Sequence, residues 1–139
     1  MFMKIMAAID GTETSMEALM EAKHIAVSQD ASLCIVYAVA DSDENDESSG
    51  LKLLEQAKSI VGNGLNVDTR LVHAEAEYGL NGIAEALAEA ANEWHADLVV
   101  VGTANRRGLE RFVIGSVAEQ VVSKVDASVL VVRPRRSAD

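Results

Sequence analysis

Short apolar runs alternate with stretches of helical period along the whole chain of 139 residues. This alternation is typical of repeated βα units, in which each strand is followed by a helix that crosses back over a parallel sheet. Five apolar runs predict strands at residues 4–9, 33–39, 67–72, 97–101 and 128–133. Because the length suits one domain, we predict a single α/β domain over residues 1–139 with a doubly wound, five-stranded parallel sheet.

Four stretches between these strands repeat apolar residues at intervals of three and four, which predicts four helices with one buried face each. Thr14 to Glu17 has the pattern of a capping box and predicts the start of the first helix. Residues 41–50 contain too many charges to pack and are predicted to be a mobile acidic loop. The buried stripe of the second helix is predicted to follow that loop and to consist of Leu51, Leu54, Ala57, Ile60 and Val61.

The composition limits the classes of partner. A formal charge of -10 repels nucleic-acid phosphates and anionic membrane surfaces, so we expect neither as a partner. The lone cysteine, Cys34, lies in an apolar run and is predicted to be buried and inert. No signal-peptide pattern and no apolar run of membrane-spanning length are present in the sequence, so a cytoplasmic protein is expected.

The segment from Gly102 to Ser116 carries the features of a phosphate site. It joins the end of a predicted strand to the start of a predicted helix, where backbone N–H groups and the helix dipole favour anions. Gly102 permits a close backbone approach, and Gly115 opens the entry to the helix. Ser116 also begins a capping-box pattern with Glu119, so its hydroxyl has an alternative role as a helix cap.

The same segment, read together with Ile9-Asp10-Gly11-Thr12 and the last strand, resembles the universal stress protein family over essentially the full chain. The ATP-binding members of that family carry a glycine, two residues, a second glycine, nine residues, and then glycine followed by serine or threonine. Gly102, Gly115 and Ser116 match that spacing, whereas Asn105 stands at the middle glycine. The resemblance implies an adenine nucleotide alpha hydrolase-like (Rossmann-like) fold with strand order 3-2-1-4-5.

The resemblance also implies a nucleotide site for ATP, with Mg²⁺ or Mn²⁺ as an accompanying ion that protein ligands alone do not hold. Asp10 and Ala8 are expected on the adenine and ribose side, Ala38 and Val101 at the base, and Gly102 at the ribose. The phosphates are expected next to Asn105, Gly115, Ser116 and Val117. Three arginines of the same loop are secondary phosphate candidates, namely Arg106, Arg107 and Arg111.

Two functions remain open at this point. In the first, the protein is an ATP-binding stress-response module that signals to a partner through nucleotide-dependent contacts. In the second, it is a nucleotide-free interaction protein of the same fold, in which Ser116 is only a helix cap. The Asn105 side chain favours the second if it fills the phosphate space, and the first if its amide donates to a phosphate.

The last strand is apolar on both faces and is expected at the edge of the sheet, where its backbone groups need a cover. By the resemblance, Val129, Val131 and Val132 pair with their copies in a homodimer.

A dedicated enzyme is not expected. The sequence has neither a Gly-x-Ser-x-Gly nucleophile motif nor a Walker lysine, although slow ATP hydrolysis remains open. A phosphoacceptor receiver domain shares the layer architecture, but it needs an acidic pair after the first strand and an aspartate after the third. Asp10 stands alone, and the third strand ends in Val72-His73-Ala74.

Overall fold

The order of strands across the sheet is β3-β2-β1-β4-β5, and all neighbours are parallel. The structure is a computed structural model that describes residues 1–40, 44–75, 78–103 and 116–133. The elements in chain order are β1 (Lys4–Ala8), α1 (Glu13–Gln29), β2 (Ser32–Ala40), α2 (Glu44–Val61), β3 (Val67–Ala74), α3 (Gly79–Trp94), β4 (Leu98–Gly102), α4 (Ser116–Lys124) and β5 (Ser128–Val132). The predicted sheet, its order and its four helices are confirmed.

Helices cover the sheet on both faces, which divides the core into two layers. Alternate residues of each strand face opposite layers, so Ile5 and Ala7 pack with α1 and α2, whereas Met6 packs with α3 and α4. The central strands are buried along their length, as expected of a parallel sheet between two helical layers. The carboxyl ends of all five strands therefore form one edge, and the amino ends form the opposite edge.

One carboxylate joins two strands at the amino edge of the sheet. Asp97 accepts hydrogen bonds from the backbone N–H groups of Met3 at 2.8 Å and Lys4 at 3.1 Å, and so ties the start of β1 to the start of β4. The ammonium of Lys4 lies 4.6 Å from the centre of the Trp94 ring at the end of α3. These contacts lie at the end of the sheet remote from the predicted nucleotide site.

The prediction of an irregular loop over residues 41–50 is wrong for residues 44–50, which form the first turns of α2. Residues 41–43 lie outside the described residues. The helix packs there through Gly50, which is buried against the ring of Tyr37, so no apolar stripe in the sequence reveals it. The buried face continues through Leu54, Ala57 and Val61, while the predicted stripe members Leu51 and Ile60 are half exposed, at 51% and 50%.

The described part of the chain contains no helix that is both long and apolar enough to cross a lipid bilayer. Cys34 is buried as predicted. Its burial raises the pKa of the thiol from 9.0 to about 11, so the neutral form persists at ordinary pH.

Candidate functional site

The candidate site lies at the carboxyl edge of the sheet, between β1 and β4. The strand order reverses at this point, because β1 is followed in the chain by β2 on one side and β4 by β5 on the other side. Doubly wound sheets bind ligands at such a switch point. Ala7 is paired with Val100, which places Ala8 and Val101 one residue further along the two strands. Both belong to the layer packed by α3 and α4, where Val101 is buried and Ala8 is half-buried. The structure therefore brings these two predicted base and ribose contacts together.

Asp10 follows β1 and anchors the turn that starts α1. Its Oδ1 accepts hydrogen bonds from Thr12 N at 2.9 Å and from Thr12 Oγ1 at 2.6 Å. Gly11 lies between them at φ +88°, a left-handed conformation that favours glycine. Asp10 is exposed, and the turn holds its carboxylate at the end of β1.

The cap of α1 differs from the predicted one. Thr12 is the N-cap, and its Oγ1 accepts a hydrogen bond from Ser15 N at 3.2 Å. Ser15 Oγ accepts from Asp10 N at 3.2 Å and donates to the Thr12 carbonyl at 2.9 Å. The predicted cap, Thr14, lies inside the helix and is 1% exposed. Thr12 and Ser15 also have a spacing of three, but the capping-box pattern does not identify them, because Ser15 bonds to the Asp10 N–H and the Thr12 carbonyl and not to the Thr12 N–H.

Gly102 is the last residue of β4 and is paired with Val132. A Cβ at this position would lie 2.9 Å from Thr14 Cγ2 and 3.0 Å from the Thr14 carbonyl oxygen. These separations are too short for a side chain, so a glycine is needed for α1 to pack on β4. The glycine that the sequence assigned to a ribose contact thus has a structural requirement of its own. Thr103 follows it, buried, and its N–H donates to the Val132 carbonyl at 3.0 Å.

The end of β2 forms the next part of the edge. Ala38 is half-buried, is paired with Val72 and faces the same layer as Ala8. Its neighbour Tyr37 faces the opposite layer, and the Tyr37 hydroxyl donates to Asp46 Oδ1 in the first turn of α2 at 2.7 Å. This contact was missed at the sequence level because both partners lie in or beside a segment that reads as a polar loop.

The predicted phosphate contacts are described only in part. Ser116 begins α4, and Val117 is half-buried against the core of the α3–α4 layer. The remaining phosphate candidates lie outside the described residues, namely Asn105, Arg106, Arg107, Arg111 and Gly115. Within the described ranges, no three His, Cys, Asp or Glu side chains are grouped closely enough to hold a metal ion.

A groove runs along the edge strand, on the face covered by α1. We call it the α1–β5 groove; its volume is about 610 Å³. Of the three predicted dimer residues, Val129 and Val131 pack against the α3–α4 layer and Val132 packs against the α1–α2 layer. Val131 and Val132 both line the groove. In the described part of the chain, β5 has a strand partner on one side only, β4. The groove is lined by residues of α1, of β5 and of the position after β5, namely Glu13, Met16, Glu17, Met20, Glu21, His24, Leu130, Val131, Val132 and Arg133.

Comparison with known proteins gives the same fold and one family. Residues 1–133 match the model of the universal stress protein family. A universal stress protein of Methanocaldococcus jannaschii is 31% identical, with 96% of this chain and 83% of that protein covered. The universal stress protein YxiE of Bacillus subtilis is 30% identical, with 96% of this chain and all of that protein (100%) covered.

Solved structures of the family share the fold at lower identity. UspA of Lactobacillus plantarum has a TM-score of 0.79 at 20% identity, a universal stress protein in complex with cAMP has 0.73 at 24%, and one from Archaeoglobus fulgidus in complex with dAMP has 0.74 at 22%. Each comparison covers 94% of this chain and 97% of the other. The family match over residues 1–133 and the two relatives at 30% identity or more agree with this architecture, and the chain therefore belongs to the universal stress protein family.

Proposed function

We propose that the protein is an adenine-nucleotide-binding module whose site is the crevice between β1 and β4. The observation that carries this proposal is the exposed Asp10 carboxylate, which Thr12 holds in place two residues beyond Ala8, at the end of β1. A carboxylate in that position can accept hydrogen bonds from the ribose hydroxyls. The small side chain of Ala8 is half-buried next to the buried Val101, and it leaves room for an apolar contact with a purine.

The ligand is proposed to be ATP with Mg²⁺ or Mn²⁺. Two proteins with this fold have been solved with cAMP and with dAMP, ligands that share an adenine base, a sugar and one phosphate. The spacing of Gly102, Gly115 and Ser116 supports a longer phosphate chain that reaches the start of α4, where the helix dipole favours anions. Asn105 and the three loop arginines would face the outer phosphates, and their contribution rests on the sequence.

Thermal unfolding with and without ATP and Mg²⁺ tests the proposal. Ligand at a hundred times its dissociation constant adds about 2.7 kcal/mol to the free energy of unfolding and raises the midpoint. Asp10→Asn should reduce this gain, because a neutral amide is a weaker acceptor for ribose hydroxyls. Asp97→Asn is the matched control: it changes a carboxylate at the opposite edge and should leave the gain intact. No gain at millimolar ATP would refute nucleotide binding.

The phosphate half of the site has its own pair of variants. Gly115→Leu should abolish the ATP-dependent gain, because a large side chain would block the entry to α4. Asn105→Gly should enlarge the gain if the amide obstructs a phosphate and reduce it if the amide donates to one.

The biological role is proposed to be signalling rather than turnover. Nucleotide binding would change the contacts of a cytoplasmic homodimer that pairs through β5, whose outer edge continues into the α1–β5 groove. Residues for a dedicated catalytic reaction are not part of this proposal, and slow ATP hydrolysis would need only a positioned water beside the metal. Sedimentation of the protein with and without ATP measures both the dimer and its response to nucleotide.

A second candidate is a nucleotide-free interaction protein of the same fold. The close packing of Gly102 on Thr14 favours it, because that contact accounts for the glycine without any ligand. This candidate predicts a dimer that is indifferent to ATP, so the same sedimentation experiment separates the two functions.

A further inference from the structure

Helix α2 touches the candidate nucleotide site at two places, each one residue from a proposed nucleotide contact. Tyr37, which precedes Ala38, donates its hydroxyl to Asp46 in the first turn of α2 at 2.7 Å. Gly11, which follows Asp10, lies beside Leu53 in the third turn: a Cβ at Gly11 would be 3.7 Å from Leu53 Cδ2. The position of α2 is therefore coupled to the ends of both β1 and β2.

The first turns of α2 are held against the sheet in an unusual way. Residues 44–50 are polar or charged apart from Gly50, so this part of the sequence contains no apolar stripe. Instead, Gly50 brings the helix backbone onto the Tyr37 ring. A Cβ at Gly50 would lie 2.6 Å and 2.7 Å from two ring carbons and 3.0 Å from Leu71 Cδ1. The ring thus supports the helix directly, while the hydroxyl reaches Asp46 one turn earlier.

We propose that Tyr37 and Asp46 are positioning residues for the nucleotide. They hold the start of α2 against the end of β2, and Leu53 of the same helix lies beside Gly11, which follows the proposed ribose contact Asp10. This inference rests on the proposed nucleotide binding, and it names a contact that the ligand itself does not make. When the Tyr37–Asp46 hydrogen bond is lost, the start of α2 is free to move away, and the fraction of molecules with a complete site falls.

The expected size of the effect follows from that fraction. The apparent dissociation constant equals the intrinsic one divided by the fraction of competent molecules. A hydrogen bond to a carboxylate contributes about 1 kcal/mol or more, which corresponds to a factor of roughly five. This factor is the largest fall that the loss of the hydrogen bond can cause in the competent fraction, so removal of the hydroxyl should weaken nucleotide binding by up to about fivefold without abolishing it.

The test measures ATP–Mg²⁺ affinity by calorimetry for four variants of the full chain. Tyr37→Phe keeps the ring contact with Gly50 and removes only the hydroxyl, and Asp46→Ala removes the acceptor. Each should weaken binding by up to about fivefold, and the double variant should weaken it by less than the product of the two single effects because both changes remove the Tyr37–Asp46 contact. Asp46→Asn should retain most of the wild-type affinity, unlike Asp46→Ala, because its amide oxygen still accepts a hydrogen bond.

Asn92→Ala provides the matched control for a general loss of stability. Asn92 ties α3 to the segment after α4, accepting from Asp126 N at 3.1 Å and donating to the Lys124 carbonyl at 3.5 Å. It should lower the unfolding midpoint and leave nucleotide affinity unchanged. Hydrogen exchange of residues 44–50 in Tyr37→Phe provides a readout that needs no ligand, and it should be faster there than in the wild type while the rest of α2 is unaffected.

Three outcomes would overturn the inference in distinguishable ways. If the wild type binds nucleotide and Tyr37→Phe binds it equally well, the positioning role is wrong and the proposed function stands. If Asn92→Ala weakens binding as much as Tyr37→Phe does, the effect is one of stability alone and the positioning role is again wrong. If the wild type binds no nucleotide at all, the proposed function fails and the inference fails with it, whatever the exchange rates show.

Discussion

Substitution of Gly102 by alanine separates the structural role of this glycine from its proposed role at the ribose. The added methyl would lie 2.9 Å from the Thr14 methyl, 3.0 Å from the Thr14 carbonyl oxygen and 3.1 Å from the carbonyl carbon. Two of these three atoms belong to the backbone of α1, and Thr14 is 1% exposed, so a side-chain rotation cannot relieve the contact. Either α1 moves away from β4 or the strand end shifts.

Two opposing effects set the change in the free energy of unfolding caused by Gly102→Ala. Overpacking of this kind destabilises a core by about 1–3 kcal/mol. Alanine also has fewer conformations than glycine in the unfolded chain, which raises the free energy of unfolding by about 0.4–1 kcal/mol. This gain applies here because the backbone at Gly102 is not left-handed. We therefore expect Gly102→Ala to lower the free energy of unfolding by about 1–2 kcal/mol in the absence of any ligand.

Urea denaturation of four proteins measures this effect: the wild type, Gly102→Ala, Thr14→Ser and the double variant. Thr14→Ser removes the nearest methyl and retains the hydroxyl, so it should relieve part of the strain, and the loss from Gly102→Ala should be smaller in its background by at least about 0.5 kcal/mol. Unchanged stability of Gly102→Ala together with lost nucleotide binding would refute the packing argument, because the glycine would then serve the ligand alone.

Three further changes have defined outcomes. Thr12→Ala removes the cap of α1 and should cost about 1 kcal/mol by urea denaturation, whereas Ser123→Ala on the exposed face of α4 should change stability by less than about 0.5 kcal/mol. Asp97→Ala should cost about 1–3 kcal/mol by the same assay, because two strand N–H groups lose their acceptor. The raised pKa of Cys34 stabilises the fold below the unfolded-state pKa of 9.0, and this contribution should disappear as the pH rises through about 11. Cys34→Ala should lack that pH dependence, so the difference between the two denaturation series isolates it.

The sheet and its helices could be predicted because the chain repeats one simple unit. Buried strands such as Leu98–Gly102 are apolar on both faces, and helices such as α3 keep an apolar stripe, so period and length suffice to identify them. The amino end of α2 could not be predicted in this way. There the helix packs through a glycine on an aromatic ring, and Gly50 rather than Leu51 faces the sheet, so no apolar side chain marks the buried face.

The candidate site was predictable in location but not in detail. The ends of β1 and β4 follow from strand order alone, and Ala8, Asp10, Val101 and Gly102 lie there as expected. The cap at Thr12 and the contact between Gly102 and Thr14 depend on how closely α1 approaches β4. That distance is set by side-chain packing between elements distant in sequence, which a local pattern does not contain.

Residue-resolved NMR of the labelled protein during titration with ATP and Mg²⁺ tests the central claim most directly, since it reports both binding and its place. The account predicts saturable shifts of the backbone amides at the carboxyl edge between β1 and β4, including Ala8, Asp10, Gly102 and Val117. Amides at the amino edge, such as those near Asp97, should not move. Shifts confined to another surface, or no shifts at millimolar ATP, would contradict the assignment of this crevice as a nucleotide site.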